Sequence, residues 1–412
     1  MNRGHGRGPT TPQHEIIASA AGTTPVAYAT VCAEYDIIGL VPFSDILAQD
    51  RAIGMLRRSI IEAQVGHAYL FAGPEGIGKR ATALAFAMAL NCTDSTATAT
   101  GDACGQCRSC RLIGLGQHPD VRLFTPETTG GKTVIPIDAI RTKIGESSPH
   151  PLPLREDAQL KPLEGRQKVY IIDPANRPGL QEDAGNALLM TLEEPPPHVV
   201  IILISSRPSA VLPTLVSRCL PMRFHLAPQE AIIHAISGVE GVSPEQAKAI
   251  AGMASGRIGW ALAVVKNPQI LDARRQLLDE IDRMFSVGKS AALRMAEVMH
   301  SVASSMAADN ENGGDDDGKS RTTSDRAARR NLPELLDIVG TWWRDMLVTA
   351  HAEPSMRING DYALALDRAA GRMGADEARA GLQAIMKAKR LIERNANIDL
   401  TLEWLWMTIL PR

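Results

Sequence analysis

Gly73-Pro74-Glu75-Gly76-Ile77-Gly78-Lys79-Arg80 is the stretch that decides the fold. It fits the phosphate-loop pattern G-x-x-x-x-G-K-[ST] at every position except the last. In such a loop the backbone around Gly73, Gly76 and Gly78 cradles phosphates, Lys79 reaches the β and γ oxygens, and a hydroxyl at position 80 ligates Mg²⁺. Arg80 has no hydroxyl and brings a positive charge to the place of the metal.

The flanks supply the context the loop needs. Residues 68–72 (AYLFA) form a short apolar run of strand type, and 81–90 have helical character. A strand, a Gly-rich turn and a helix in that order make a phosphate-loop fold the expectation. Further along, 168–173 (KVYIID) reads as a second buried strand and 199–204 (VVIILI) as a third. Residues 183–194 read as a helix that stops at Pro195-Pro196-Pro197, because proline cannot continue it. Alternating strands and helices predict an α/β domain with a parallel sheet covered on both faces. Residues 46–65 carry apolar side chains at helical spacing.

From Pro228 onward strand signals fade and helices dominate, with clear patterns at 332–347 and 375–410. Trp342, Trp343, Leu336, Val339 and Leu347 make one broad apolar stripe, and Leu400, Leu402, Leu405 and Trp406 another. Residues 1–35 read as a mobile arm. The acidic, Gly-rich stretch 309–318 reads as a disordered loop. No internal repeat is present.

Asp173 is the natural second metal ligand, at the end of an apolar strand. Active enzymes of this broad class place an acid next to orient the attacking water; here Pro174 follows. The plain alternative is that Asp173 caps the following turn. With Arg80, this makes two defects at one site. ATP hydrolysis by this chain is therefore not expected, while ATP binding stays open.

Cys92, Cys104, Cys107 and Cys110 follow the spacing C-x11-C-x2-C-x2-C. Four thiolates close a tetrahedral Zn²⁺ shell and leave no open position, so a structural site is expected and a metalloenzyme is not. Arg108 and Arg111 would temper its negative charge, and His118 is a candidate substitute ligand. The alternative is four reduced, unliganded thiols. Cys32 and Cys219 sit apart and receive no metal. Ser217-Arg218-Cys219 follows the third strand and a helix-like segment at 209–216. An Arg there can point into a neighbour's nucleotide site and steady the charge on a transferring phosphate, although a lone surface Arg is usually just solvated.

Bulk properties bound the rest. A chain of 412 residues with 44% hydrophobic and 22% charged residues suits a soluble protein of two to four domains. A net charge of −2 gives no support to a stand-alone nucleic-acid binder. No apolar run spans a bilayer and no secretory leader is evident, so a cytoplasmic chain with reduced cysteines is expected.

Together, residues 66–79, the four-Cys module, His118-Pro119-Asp120, the box 186–196 (NALLMTLEEPP), Ser217-Arg218-Cys219 and the late segment 388–400 resemble a bacterial clamp-loader AAA+ subunit. The likeness is strong over 40–226 and looser beyond. It implies an AAA+ phosphate-loop domain at 36–226 with a zinc module inserted at 92–118. A helical lid at 227–268 and an all-α collar at 269–412 follow, the collar interrupted by a disordered loop at about 307–330. Motor subunits of the family keep Ser/Thr after the loop Lys, an acid after the strand Asp, and a sensing Arg in the lid. Here those places hold Arg80, Pro174 and Gly259, with Arg257 two residues away. Such losses resemble the delta-prime branch, which implies a non-hydrolysing stator within the DNA polymerase III holoenzyme. It would work with tau/gamma motor and delta subunits, reach the sliding clamp and primed DNA through the assembly, and offer Arg218 in trans. Met190 stands where the family usually has Lys. The competing reading is an ATP-hydrolysing motor subunit.

Overall fold

Strand β1 (Ala68–Ala72) shows how the first domain is built. Tyr69 and Phe71 point into one apolar core, and Ala68 and Leu70 into another on the opposite face. Two further strands, numbered in chain order as β5 (Lys168–Ile172) and β6 (Val199–Ser205), alternate in the same way: Val169 and Ile171, then Val200, Ile202 and Ile204, join the first core. Tyr170, Ile172, Val199, Ile201 and Leu203 join the second. A slip of one residue would exchange both faces, so side-chain burial fixes the register. Both faces being apolar, the strands read as unbroken hydrophobic runs, as parallel sheets do.

The computed structural model describes residues 42–129, 132–142, 152–239, 241–287, 291–306, 320–351, 356–394 and 396–410. The arm at 1–35, Cys32 and the acidic stretch 309–318 lie outside the described residues. Among these, the sheet has five strands in the order β2-β5-β6-β1-β7, all parallel. Its edges are β2 (Val121–Phe124) and β7 (Leu220–Arg223). A separate antiparallel hairpin pairs β3 (Glu127–Thr129) with β4 (Lys132–Val134).

Helices α1 (Asp50–Ile61) and α2 (Lys79–Asn91) cover one face of the sheet, with the short α3 (Ala97–Thr100) and α4 (Arg108–Gly114) beside them. The expected helix at 46–65 is shorter at both ends: Ala48 at φ 61 breaks the pattern before it, and Ala63 at φ 52 after it. α2 is buried along nearly its whole length, and Ala81, Ala83, Ala85, Ala87 and Ala89 allow close approach. The other face carries α5 (Ile137–Ile140), α6 (Leu154–Ala158), α7 (Glu182–Glu193) and α8 (Pro213–Val216).

Beyond the sheet come α9 (Gln229–Ile236), α10 (Pro244–Ala254), α11 (Ile258–Lys266), α12 (Pro268–Val287), α13 (Ala292–Ser305), α14 (Ser320–Ala350), α15 (Ala363–Arg372), α16 (Ala375–Glu393) and α17 (Ile398–Ile409). Their buried residues, from Ala227 to Leu410, form one continuous core. Both expected apolar stripes feed it: Trp342, Trp343 and Trp406 are fully buried, and the Trp343 and Trp406 rings lie 6.0 Å apart. Leu400 departs from its stripe and is exposed on the outer face of α17. No helix among the described residues is long and apolar enough to cross a membrane.

Candidate functional site

β1, β5 and β6 run in parallel, so everything after their last residues gathers at one end of the sheet. The turn 73–78 leaves β1, and its amide at Gly73 donates to Ser205 O at 3.2 Å. Asp173 leaves β5, and β6 lies between them. Gly76 (φ +72) and Gly78 (φ +95) take left-handed conformations that a side chain would strain. That bend carries the chain from strand into α2 within a few residues.

At this end the cations are already engaged. Lys79 is buried, and its Nζ donates to Gly73 O at 2.7 Å and to Pro74 O. Burial draws the Lys79 ammonium below its ordinary pKa, against the charges of Asp173 and Glu75. Arg80 Nε donates to Asp173 Oδ2 at 2.6 Å. The guanidinium thus lies on the carboxylate that a metal would need. Two further contacts draw the turn inward. Gln49 Nε2 donates to Ile77 O at 3.2 Å and to His225 O at 2.7 Å. The Gly259 amide, in the first turn of α11, donates to Gly76 O at 2.7 Å. A Cβ on Gly259 would stand 3.0 Å from that oxygen, so the small residue permits the contact. Arg257 instead stacks on Trp260, 5.5 Å from the ring centre.

The opposite end of the sheet holds the cysteines. Cys92 follows α2 directly, and Cys104, Cys107 and Cys110 come from the following turn and α4. Their four sulfurs lie within 4.8 Å of one another. Cys92 Sγ is 3.5 Å from Cys104 Sγ and 3.9 Å from Cys107 Sγ. Zn–S bonds of about 2.3 Å in a tetrahedron place sulfurs about 3.8 Å apart, so the donor set fits zinc. These spacings are far too long for disulfides, and the thiols are free. Backbone amides of Cys104, Gln106, Cys107 and Cys110 point at the sulfurs at 3.3–3.4 Å, as donors to thiolates do. Burial raises the Cys92 and Cys110 thiols. It also opposes ionisation of Cys107, yet hydrogen bonds from Thr93 and Cys110 lower that thiol to about 6.

His118 is not part of the cluster. Its Nε2 faces Ser109 Oγ at 3.1 Å and its Nδ1 accepts the Asp120 amide at 3.1 Å. Asp120, almost wholly buried, accepts the amides of Leu163, Glu164 and Gly165 at 2.7–2.8 Å. The His118-Pro119-Asp120 triplet therefore anchors the loop that leads into β5. Arg108 pairs with Glu164 at 3.1 Å. Asp102 accepts the Phe43 and Ser44 amides at 2.8 and 3.0 Å and pairs with Arg57, tying the Cys-rich turn to the start of the described chain. Cys219 lies apart and buried, its thiol pushed up to about 12 by that burial.

Arg218 precedes β7, which runs parallel to β1. It therefore lies at the start of the strands, whereas Lys79 lies beyond their ends, a strand length of roughly 15 Å away. Its Nη2 donates to Glu193 Oε1 at 2.6 Å and its Nη1 to Thr214 O at 3.0 Å. Sequence reasoning picked out neither Glu193 nor Gln49 as a partner. Glu193 stands inside the 186–196 box, but no local pattern pairs it with Arg218, 25 residues further on. Met190, one helical turn earlier, is 56% exposed.

A sequence model of the family described as DNA polymerase III, delta subunit, matches residues 48–228. The delta' subunit of Pseudomonas aeruginosa DNA polymerase III is 41% identical over 157 residues, covering 38% of this chain and 42% of the relative. The tau/gamma subunit of Haemophilus influenzae is 37% identical over 185 residues, 45% of this chain and 23% of that protein. The delta' subunit of Bacillus subtilis is 30% identical over 230 residues, 56% of this chain and 63% of its own length. The chain thus spans less than two thirds of each of these relatives. Among solved structures, a gamma-subunit-related protein of Thermotoga maritima overlaps 86% of this chain and 97% of its own at TM-score 0.42 and 14% identity. Residues 48–228 thus match the family described as DNA polymerase III, delta subunit, and the chain is similar to bacterial delta' and tau/gamma subunits.

Proposed function

We propose that this chain is a non-hydrolysing stator of a DNA polymerase III clamp loader. The observation that carries the reading is the Arg80–Asp173 ion pair. A divalent cation bound between the glycine loop and Asp173 must displace a guanidinium that is covalently part of the chain. Pro174 supplies no base for water, so a metal that did enter would still lack a catalytic partner. In this reading residues 36–226 are the AAA+ module, 227–268 its lid and 269–412 the collar that joins neighbouring subunits. The lid's direct hydrogen bond to Gly76 supports a fixed lid angle set without nucleotide.

Cys92, Cys104, Cys107 and Cys110 would hold a structural Zn²⁺, which supplies cross-linking and no reaction chemistry. Because Cys92 ends α2, the ion would brace the same helix that begins at Lys79. Arg218 would act outside its own domain, on the nucleotide of an adjacent tau/gamma motor. Partners would be the motor and delta subunits, with the sliding clamp and primed DNA reached through the cytoplasmic assembly.

The tau/gamma matches favour a second reading, an ATP-hydrolysing motor, because they rival the delta' matches in identity. Reconstitution separates the two. The chain is mixed with tau/gamma and delta, and clamp loading on primed DNA is measured with each subunit left out in turn. A stator is required for loading even when its own loop lysine is replaced, as in Lys79→Ala. A complex that stops loading with Lys79→Ala, while the variant still assembles, favours the motor.

A further inference from the structure

The Arg218 guanidinium is not free in this chain. It lies at the C-terminal end of α7, which Pro195 and the prolines after it terminate. The last carbonyls of a helix carry partial negative charge and attract a cation. Glu193, the final residue of α7, adds a full charge: Arg218 Nη2 meets its carboxylate at 2.6 Å. Nη1 is held by Thr214 O at 3.0 Å and by Ser217 Oγ at 3.4 Å. Both terminal nitrogens are therefore committed to the chain's own atoms. The pair is nevertheless open to solvent, with side chains 35% and 48% exposed.

Resting on the proposed trans role of Arg218, we infer that Glu193 is a positioning residue: a cis latch that parks the guanidinium until a neighbour's γ-phosphate draws it away. The competition is between two anions for one cation. A carboxylate offers one negative charge, and a terminal phosphate offers more charge with more acceptor oxygens. An exposed ion pair is weak enough to be exchanged, and its attraction limits the swap to a small factor. Reaching a nucleoside triphosphate on the neighbour requires the latch to open. Docking against a nucleoside diphosphate does not, because no γ-phosphate calls the guanidinium out. The latch therefore weakens only the triphosphate-bound contact, by the fraction of chains in which Arg218 is released.

The test measures docking of the full chain to its tau/gamma partner in two states, one loaded with a non-hydrolysable ATP analogue and one with ADP. Glu193→Gln removes the charge and keeps the shape. It should tighten docking to the triphosphate state about 1.5–5-fold and leave the diphosphate state unchanged. Glu193→Asp should behave like the unaltered chain, and Arg218→Ala should erase the gain when combined with Glu193→Gln. Equal change in both nucleotide states, no change in either, or weaker docking to the triphosphate state overturns the latch. If Arg218→Ala alone alters neither docking nor the ATPase of the complex, the trans role itself fails and the latch with it. If Arg218→Ala lowers both while Glu193→Gln is silent, only the latch fails. A thermal melt of Glu193→Gln checks that α7 is intact.

Discussion

The two ends of the five-stranded sheet are built to opposite rules. Where the strands finish, charged groups that could meet a nucleotide are already engaged within the chain: Lys79 on loop carbonyls and Arg80 on Asp173. Where the strands begin, the chain is braced. The four cysteines, the Asp120 anchor and the buried Lys168–Asp157 pair at 2.7 Å all lie there. Arg218 sits at that braced end, held by a solvent-exposed pair with Glu193 and by Thr214 O. One end is closed on itself, and the other is braced and carries a solvent-exposed cation. The contrast teaches that one scaffold can close its own glycine-loop end with internal partners and still present a cation at the other end.

The largest effect that could break this contrast is in trans. Arg218→Ala should lower turnover at the neighbouring site by about 10³-fold or more, the scale of an arginine finger, with no change in the chain's own fold. Full ATPase in a complex carrying the variant would leave the contrast without its active end. Next comes the bracing. Cys104→Ser should take bound zinc from about one ion per chain to none, and limited proteolysis should then open the 92–110 segment. Metal analysis of the unaltered chain that finds no zinc would remove this brace.

A smaller loss tests the Asp120 anchor. Asp120→Ala leaves three part-buried backbone amides without their acceptor and should cost about 1–3 kcal/mol in denaturant unfolding. Burial works to raise the Asp120 carboxyl, but the amides of Gly165, Leu163 and Glu164 outweigh it and hold the group below its ordinary value of 3.8. The sign follows: its stabilisation is complete well above pH 3.8 and is lost as pH falls through the lower folded value. The unaltered chain should therefore lose stability below about pH 4 more steeply than the variant does. Equal acid slopes would show that Asp120 is not the group responsible.

The smallest effect sharpens the other end. Arg80→Thr supplies the missing hydroxyl and frees Asp173, so isothermal titration should detect tighter Mg-ATP binding than that of the unaltered chain. Turnover should stay absent, because Pro174 still offers no base. Stability should shift by less than about 1 kcal/mol, since the Arg80 side chain is 47% exposed.

Much of this plan was legible in the sequence where the signal is local. β1, β5 and β6 stood out because both their faces are buried and apolar, and α7 because proline ends it. The cysteine spacing predicted a cluster, and the four sulfurs do converge. The short edge strands were missed: β7 contains Pro221 and exposes Leu220, so it lacks the hydrophobic run of an inner strand. β2 is only four residues long and alternates weakly. The sequence placed Arg80 and Asp173 at one site, but their ion pair depends on how β1 and β5 flank β6, which no local pattern encodes. The same holds for Glu193 beside Arg218, 25 residues apart in the chain, and for the Gly259–Gly76 contact across 183.

The most direct measurement is steady-state ATP turnover by the purified chain alone, with Mg²⁺ and primed DNA present. The account predicts no turnover above background, because Arg80 holds Asp173 and Pro174 offers no base. A kcat in the usual enzymatic range of about 1–10³ s⁻¹, abolished by Lys79→Ala, would contradict it.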